Sequence, residues 1–141
     1  MQTKIFVNSI CSKYGTRNPF EIAEQEDIIV AHEKLGTIQG YYNRFHRQKF
    51  IHINSEIPDY RTKVVCAHEL GHAMLHPDAN TPFLRNYTWY PIGKYEREAN
   101  EFAAELICPD EEISEYSDYS MNELACLFGV DEELIRYKLS K

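Results

Sequence analysis

The segment His68-Glu69-Leu70-Gly71-His72 sets two imidazoles four residues apart with a carboxylate beside the first. On a helix, at about 100° per residue, His68 and His72 lie about 40° apart on successive turns. Both rings can then reach one ion at about 2.0–2.1 Å, while Glu69 faces the water that the ion would activate. That arrangement suits hydrolysis of an unreactive bond, and a zinc hydrolase acting on peptides is the first expectation.

A catalytic zinc site normally takes three protein ligands and keeps one position open. Three downstream side chains compete for the third place: His76, Glu96 and Glu98. His76 continues the histidine row but stands two turns, roughly 12 Å of rise, beyond His68. One ion does not join both ends of that row, so His76 is expected to pack or to support a ligand. Helical phase separates the glutamates. Glu96 shares a stripe with Ala99, Asn100, Ala103 and Ile107, a small and apolar face of the kind that packs on another helix. Glu98 falls with Glu101 and Glu105 on what reads as a solvated face. Phase therefore favours Glu96 as the ligand, with Asn100 one turn on to hydrogen-bond a histidine ring. Gly71 costs about 1 kcal/mol against Ala in mid-helix, which suggests that something must approach closely beside the ion.

These residues need two helices and a sheet to position them. Pro58-Asp59 opens a helix carrying Val64, Val65, Ala67, Leu70, Ala73 and Leu75, which Pro77 closes. A second helix is predicted from about Glu96 to Cys108, before Pro109. Upstream, a helix from about Thr3 to Tyr14 stops at Gly15, and Asn18-Pro19-Phe20-Glu21 reads as a capped helix start, with Glu21 in the capping-box position. Ile28-Ile29-Val30-Ala31, Thr37 to Tyr42 and Lys49 to Asn54 predict a small sheet with a hairpin across the polar stretch 43–48. In the last strand Phe50 and His52 share one face, Ile51 and Ile53 the other. The stretch between Pro77 and Tyr95 is irregular, and its Tyr87, Trp89 and Tyr90 would suit a cleft rim. Ser120-Met121-Asn122-Glu123 forms a capping box ahead of a helical pair broken at Gly129.

The 141 residues suffice for one domain with a real core. We expect a metal-binding domain over residues 1–109, with a helical extension, 110–141, packed on it. A formal charge of −7, from 15 basic and 22 acidic side chains, disfavours a broad surface for nucleic acid or anionic membrane. Cys11, Cys66, Cys108 and Cys126 are scattered among apolar neighbours and read as reduced core residues rather than a disulfide framework. No apolar run approaches the ~18 residues of a membrane span and no leader is evident, so a cytoplasmic location is expected.

The chain resembles the ImmA/IrrE family of metallo-endopeptidases. The resemblance runs through Thr16-Arg17-Asn18-Pro19-Phe20-Glu21-Ile22-Ala23, the segment His68 to His76, and Glu96-Arg97-Glu98-Ala99-Asn100-Glu101-Phe102-Ala103-Ala104-Glu105-Leu106 followed by Cys108-Pro109. It covers roughly residues 10 to 110 and departs from the family pattern at Cys108, where a Met or another apolar residue is expected. It implies a minimal gluzincin-like α+β domain with zinc held by His68, His72 and Glu96 and with Glu69 as general base. It also implies a protein substrate, a helix-turn-helix repressor, cleaved by a phage- or mobile-element-type protease without a sensor domain. The oxyanion donor is open among Tyr87, Tyr90, Tyr95, His46 and His52, and an extended substrate is expected to add to a sheet edge.

Two other readings come from different classes. Leu124-Ala125 through Phe128-Gly129-Val130 to Leu134-Ile135 has the apolar spacing of a DNA-binding helix-turn-helix. Its second helix, however, opens with Asp131-Glu132-Glu133, which would repel phosphates. A zinc-containing module that grips a repressor or an antitoxin without cutting it is the other, and Glu69 argues against it, because a purely structural site needs no acid beside an open metal position.

Overall fold

A three-stranded sheet, a long helix on its inner face and a second helix packed on the first give an α+β architecture in the computed structural model, which describes residues 2–81 and 92–140. The elements are α1 (Gln2–Tyr14), α2 (Pro19–Gln25), β1 (Ile29–Glu33), β2 (Gly40–Phe45), β3 (Gln48–Asn54) and α3 (Asp59–Leu75), then α4 (Ile92–Ile107), α5 (Asp110–Ser114), α6 (Met121–Phe128) and α7 (Glu132–Leu139). None of the described helices is long and apolar enough to cross a membrane.

The sheet has the order β1-β3-β2, with β1 parallel and β2 antiparallel to the central β3. Ile51 and Ile53 are fully buried against α3, whereas His52 lies on the outer face, stacked on Tyr41 and Phe50. The hairpin is tighter than the polar stretch 43–48 suggests. Pairing runs out to Phe45 opposite Gln48, leaving only His46 and Arg47 in the turn, with φ of 50° and 70°. Two left-handed residues make a turn whose twist matches the strands. Neither is the Gly or Asn that normally marks such a turn, so the signal was absent from the sequence.

The caps follow the sequence with one exception. Asn18 Oδ1 accepts from the Phe20 amide at 2.9 Å, and Ser120 and Glu123 form a complete capping box. Glu21, by contrast, accepts a hydrogen bond from the Thr16 hydroxyl instead of closing a capping box.

α3 is buried on nearly every side because it lies between the sheet and α4. At its crossing with α4 a Cβ on Gly71 would stand 3.1 Å from Phe102 Cβ and 3.2 Å from both Cα and O of Ala99. Two of those neighbours are backbone atoms, which cannot swing aside, so the helices meet this closely only over a glycine. The predicted start of α4 at Glu96 is one turn late. The helix begins at Ile92, inside the stretch that looked irregular.

The C-terminal pair seats on α3 and α4. Leu124, Ala125, Val130, Leu134 and Ile135 join the same apolar core as Ile22, Leu70 and Phe102. Gly129 turns between α6 and α7 at φ 70°. Lys138 Nζ donates to Glu105 Oε1 and Asp110 Oδ1, both at 2.6 Å, and Tyr137 donates to Glu105 Oε2 at 2.8 Å. Glu105 is therefore not on a solvated face, as its spacing from Glu98 and Glu101 suggested. It is a buried carboxylate made tolerable by a buried ammonium, a pairing across 33 residues that local periodicity does not reveal. Arg17 donates to the carbonyls of Glu105 and Leu106 and so satisfies the open end of α4.

All four cysteines are free. Cys66 and Cys108 are core residues, whereas Cys126 is exposed, contrary to the reading of all four as core.

Candidate metal centre

His68 and His72 project from successive turns of α3, and Glu96 reaches them from the first turns of α4. One carboxylate oxygen of Glu96 lies 2.8 Å from His68 Nε2, and the other 2.9 Å from His72 Nε2. Donor atoms of the three residues all lie within 4.8 Å of one another. The rings stand nearly perpendicular, 4.9 Å apart between centroids. His72 is fully buried, while the side chains of His68 and Glu96 keep 16% and 31% of their surface.

Electrostatics favour a cation at this point. Burial lowers the His72 pKa and keeps the ring neutral against the raising influence of Glu96. Burial alone would raise the Glu96 carboxyl, but hydrogen bonds from His68 and His72 outweigh it and hold the group well below the usual carboxylate range. Two neutral imidazoles and one ionised carboxylate form a donor set suited to a catalytic zinc ion. These residues fit such an ion.

His76 and Glu98, the two candidates that phase set aside, support this set from behind. His72 Nδ1 lies 3.1 Å from His76 Nδ1, and His76 Nε2 lies 2.7 Å from Glu98 Oε1. With an ion on His72 Nε2 in place of the proton that it gives Glu96, donors and acceptors would alternate in one way: His72 Nδ1–H would donate to His76, and His76 Nε2–H to Glu98. That chain would fix the tautomer and tilt of the buried ring. Tyr95 stacks on His76 at 4.3 Å and holds it in place. Asn100, expected in the supporting role, makes no hydrogen bond to either ring among the described contacts and instead lines the adjoining cavity.

Glu69, next to His68 in sequence, is 2% exposed and faces a cavity of about 320 Å³. The cavity runs from His68 and Glu69 along α3 to Arg61, roofed by Ile38 and Leu134. Sequence reasoning missed Arg61, Asp131 and Leu134 as cavity residues, since they come from α3 and the C-terminal pair and no local pattern joins them.

Among the oxyanion candidates, His46 lies in the β2–β3 turn against Phe45, and His52 is held by Glu33 and Asn43 on the outer face of the sheet. Neither lines the cavity. Tyr95 stays beside His76, and Tyr87, Trp89 and Tyr90 lie outside the described residues. The edge of β2 is partly taken. The Tyr42 amide donates to Thr81 Oγ1 and the Arg44 amide to Asn80 Oδ1, both at 2.8 Å. Those two amides are therefore not available to a strand added along β2.

Comparison with known proteins agrees with this geometry. The peptidase M78 family model, described as an IrrE N-terminal-like domain, matches residues 23–140. The chain is 42% identical over 138 residues to "Uncharacterized immunity region protein 2" of Bacillus phage phi105, covering 96% of this chain and 87% of that protein. It is 33% identical over 141 residues to "Metallopeptidase ImmA" of Bacillus subtilis (strain 168), covering 96% of this chain and 82% of that protein. With the family model spanning α3, α4 and the C-terminal helical pair, the chain belongs to the ImmA/IrrE family of metallopeptidases.

Proposed function

We propose that the protein is a zinc-dependent endopeptidase, with His68, His72 and Glu96 as metal ligands and Glu69 as general base. The observation that carries this reading is the meeting of His68, His72 and Glu96 at one point beside a cavity that Glu69 also lines. Zinc bound there would polarise the attacked carbonyl and bring the pKa of a water to about 7. Glu69 takes the proton of the attacking water and returns it to the leaving amine. His76 and Glu98 hold the His72 ring in its liganding tautomer. Burial of the His72 ring and of Glu69 excludes bulk solvent from the proton transfer.

The substrate in this reading is a cytoplasmic helix-turn-helix repressor. Support comes from the phage relative, which is named for its immunity region, and from the ImmA relative, which is named as a metallopeptidase. Incubating the purified chain and zinc with repressors encoded beside its gene should yield two fragments, and a chelator should stop the reaction. Stable repressor capture without any fragment, with zinc bound, would instead establish a non-cutting binding module.

A further inference from the structure

The cavity beside Glu69 is walled in part by the C-terminal pair, a segment that the metal centre does not need. Leu134 of α7 is 3% exposed and lines the cavity together with Val64 and Val65 of α3. Three separate contacts hold α7 there. A Cβ on Gly129 would lie 3.3 Å from the Tyr60 carbonyl, so the α6–α7 turn rests directly on the first turn of α3. Lys138 is tied to Glu105 and Asp110. Asp131 supplies the third contact in an unusual way. It occupies the N-cap of α7, where an Asp ordinarily accepts from its own helix, yet it makes no side-chain cap. Its carboxylate turns away to Arg61 Nη1 at 3.1 Å, while Arg61 Nη2 donates to Gln39 at 2.7 Å. The capping contribution is forgone, and the far end of the cavity is closed by a neutralised charge pair.

Resting on the peptidase reading, we propose that the C-terminal pair is a working part of the substrate site. Leu134, held over the cavity by the Asp131–Arg61 bridge, sets which side chain is accepted next to the scissile bond. Any group filling the cavity lies against Glu69 and His68, hence beside the attacked carbonyl. The apolar part of the wall is Ile38, Val64, Val65, Ala103 and Leu134, Gln39 and Asn100 add uncharged polar groups, and the guanidinium at the end is already paired with Asp131 and Gln39, so the pocket selects apolar rather than acidic side chains. Its volume of about 320 Å³ is at the small end of ligand pockets (~300–1,000 Å³), a fit for one side chain and adjoining backbone. The substrate class is thus a peptide bond flanked by a medium-sized aliphatic residue such as Leu or Met.

The test uses the full zinc-loaded chain and peptide hydroxamates bearing Ala, Leu or Trp, with Kd, zinc content and thermal unfolding measured together. The wild type should bind the Leu compound roughly tenfold or more tighter than the other two, the discrimination that a few methylenes provide. Leu134→Ala should move the preference to Trp, and Leu134→Phe should remove the advantage of Leu, both at unchanged zinc content. Leu134→Met, which conserves volume, should keep the wild-type order and guards against misfolding. An unchanged order in the Ala and Phe variants overturns the proposal while leaving the peptidase reading intact. A second arm needs no metal: acetyl-leucine amide titrated into the metal-free chain should shift the methyl resonances of Val64, Val65 and Leu134. No shift there at millimolar probe overturns the proposal as well. Failure of the wild type to retain zinc, with those shifts present, counts against the metal assignment and supports the pocket.

Discussion

Glu69 and Glu96 are both glutamates within reach of one cavity or one pair of histidines, yet their surroundings give them different work. Glu96 is hydrogen-bonded by two imidazoles and stays ionised. Glu69 lines the cavity beside His68, where the proposed mechanism puts a base. Glu69→Gln should therefore reduce peptide cleavage by at least about 10²-fold with zinc stoichiometry unchanged, read by fragment yield and metal analysis on the same sample. Cleavage at the wild-type rate would remove Glu69 from the mechanism. His76→Ala should lower zinc affinity by roughly 10–100-fold with the fold retained, because His72 loses the partner that orients its ring. Competition with a chromogenic chelator measures that loss. At this scale much was legible: the i, i+4 histidines follow from helical geometry, and Glu96 separates from Glu98 by phase. The His76–Glu98 contact was not, because two residues from different helices meet there and their crossing angle is no property of either segment.

The long elements carried their own signatures, and short ones did not. α3 and the α6 capping box could be read from apolar spacing and cap residues. The His46-Arg47 turn lacks the expected residue types, and Glu105 looks solvated until α7 brings Lys138 against it. That pair has side chains only 2% exposed on both sides, so removing Lys138 takes a buried cation from a Glu105 carboxylate that keeps the Tyr137 hydroxyl. Lys138→Ala should destabilise the fold by about 3–5 kcal/mol in denaturant titration, and Lys138→Ala with Glu105→Gln should regain much of it. A loss under 1 kcal/mol would mean that water reaches Glu105. Asp110, bound by Lys138 and Lys4, has its carboxyl lowered from 3.8 to about 2. Its stabilisation is complete above the unfolded value and disappears as pH falls from 3.8 through about 2. Acid unfolding of Asp110→Asn should accordingly lack part of the wild-type slope in that window, as followed by circular dichroism.

Across the whole molecule, the sheet, α3 and α4 form three layers, and His68, His72 and Glu96 bridge the second and third. The α+β class was readable because strands with alternating apolar residues precede two apolar helices. The C-terminal pair was expected to pack, because its second helix opens with Asp131-Glu132-Glu133, but the face it covers was not readable, since its partner Arg61 lies on α3. Asp131 settles its orientation here by pairing with Arg61 on α3. X-ray absorption at the zinc edge of the zinc-loaded protein tests the central assignment most directly. One zinc per chain should show imidazole nitrogen and carboxylate oxygen neighbours at about 2.0–2.1 Å, with that shell lost in His72→Ala and in Glu96→Ala. Sulfur neighbours at about 2.3 Å, or a shell that survives both substitutions, would place the metal elsewhere and contradict the assignment.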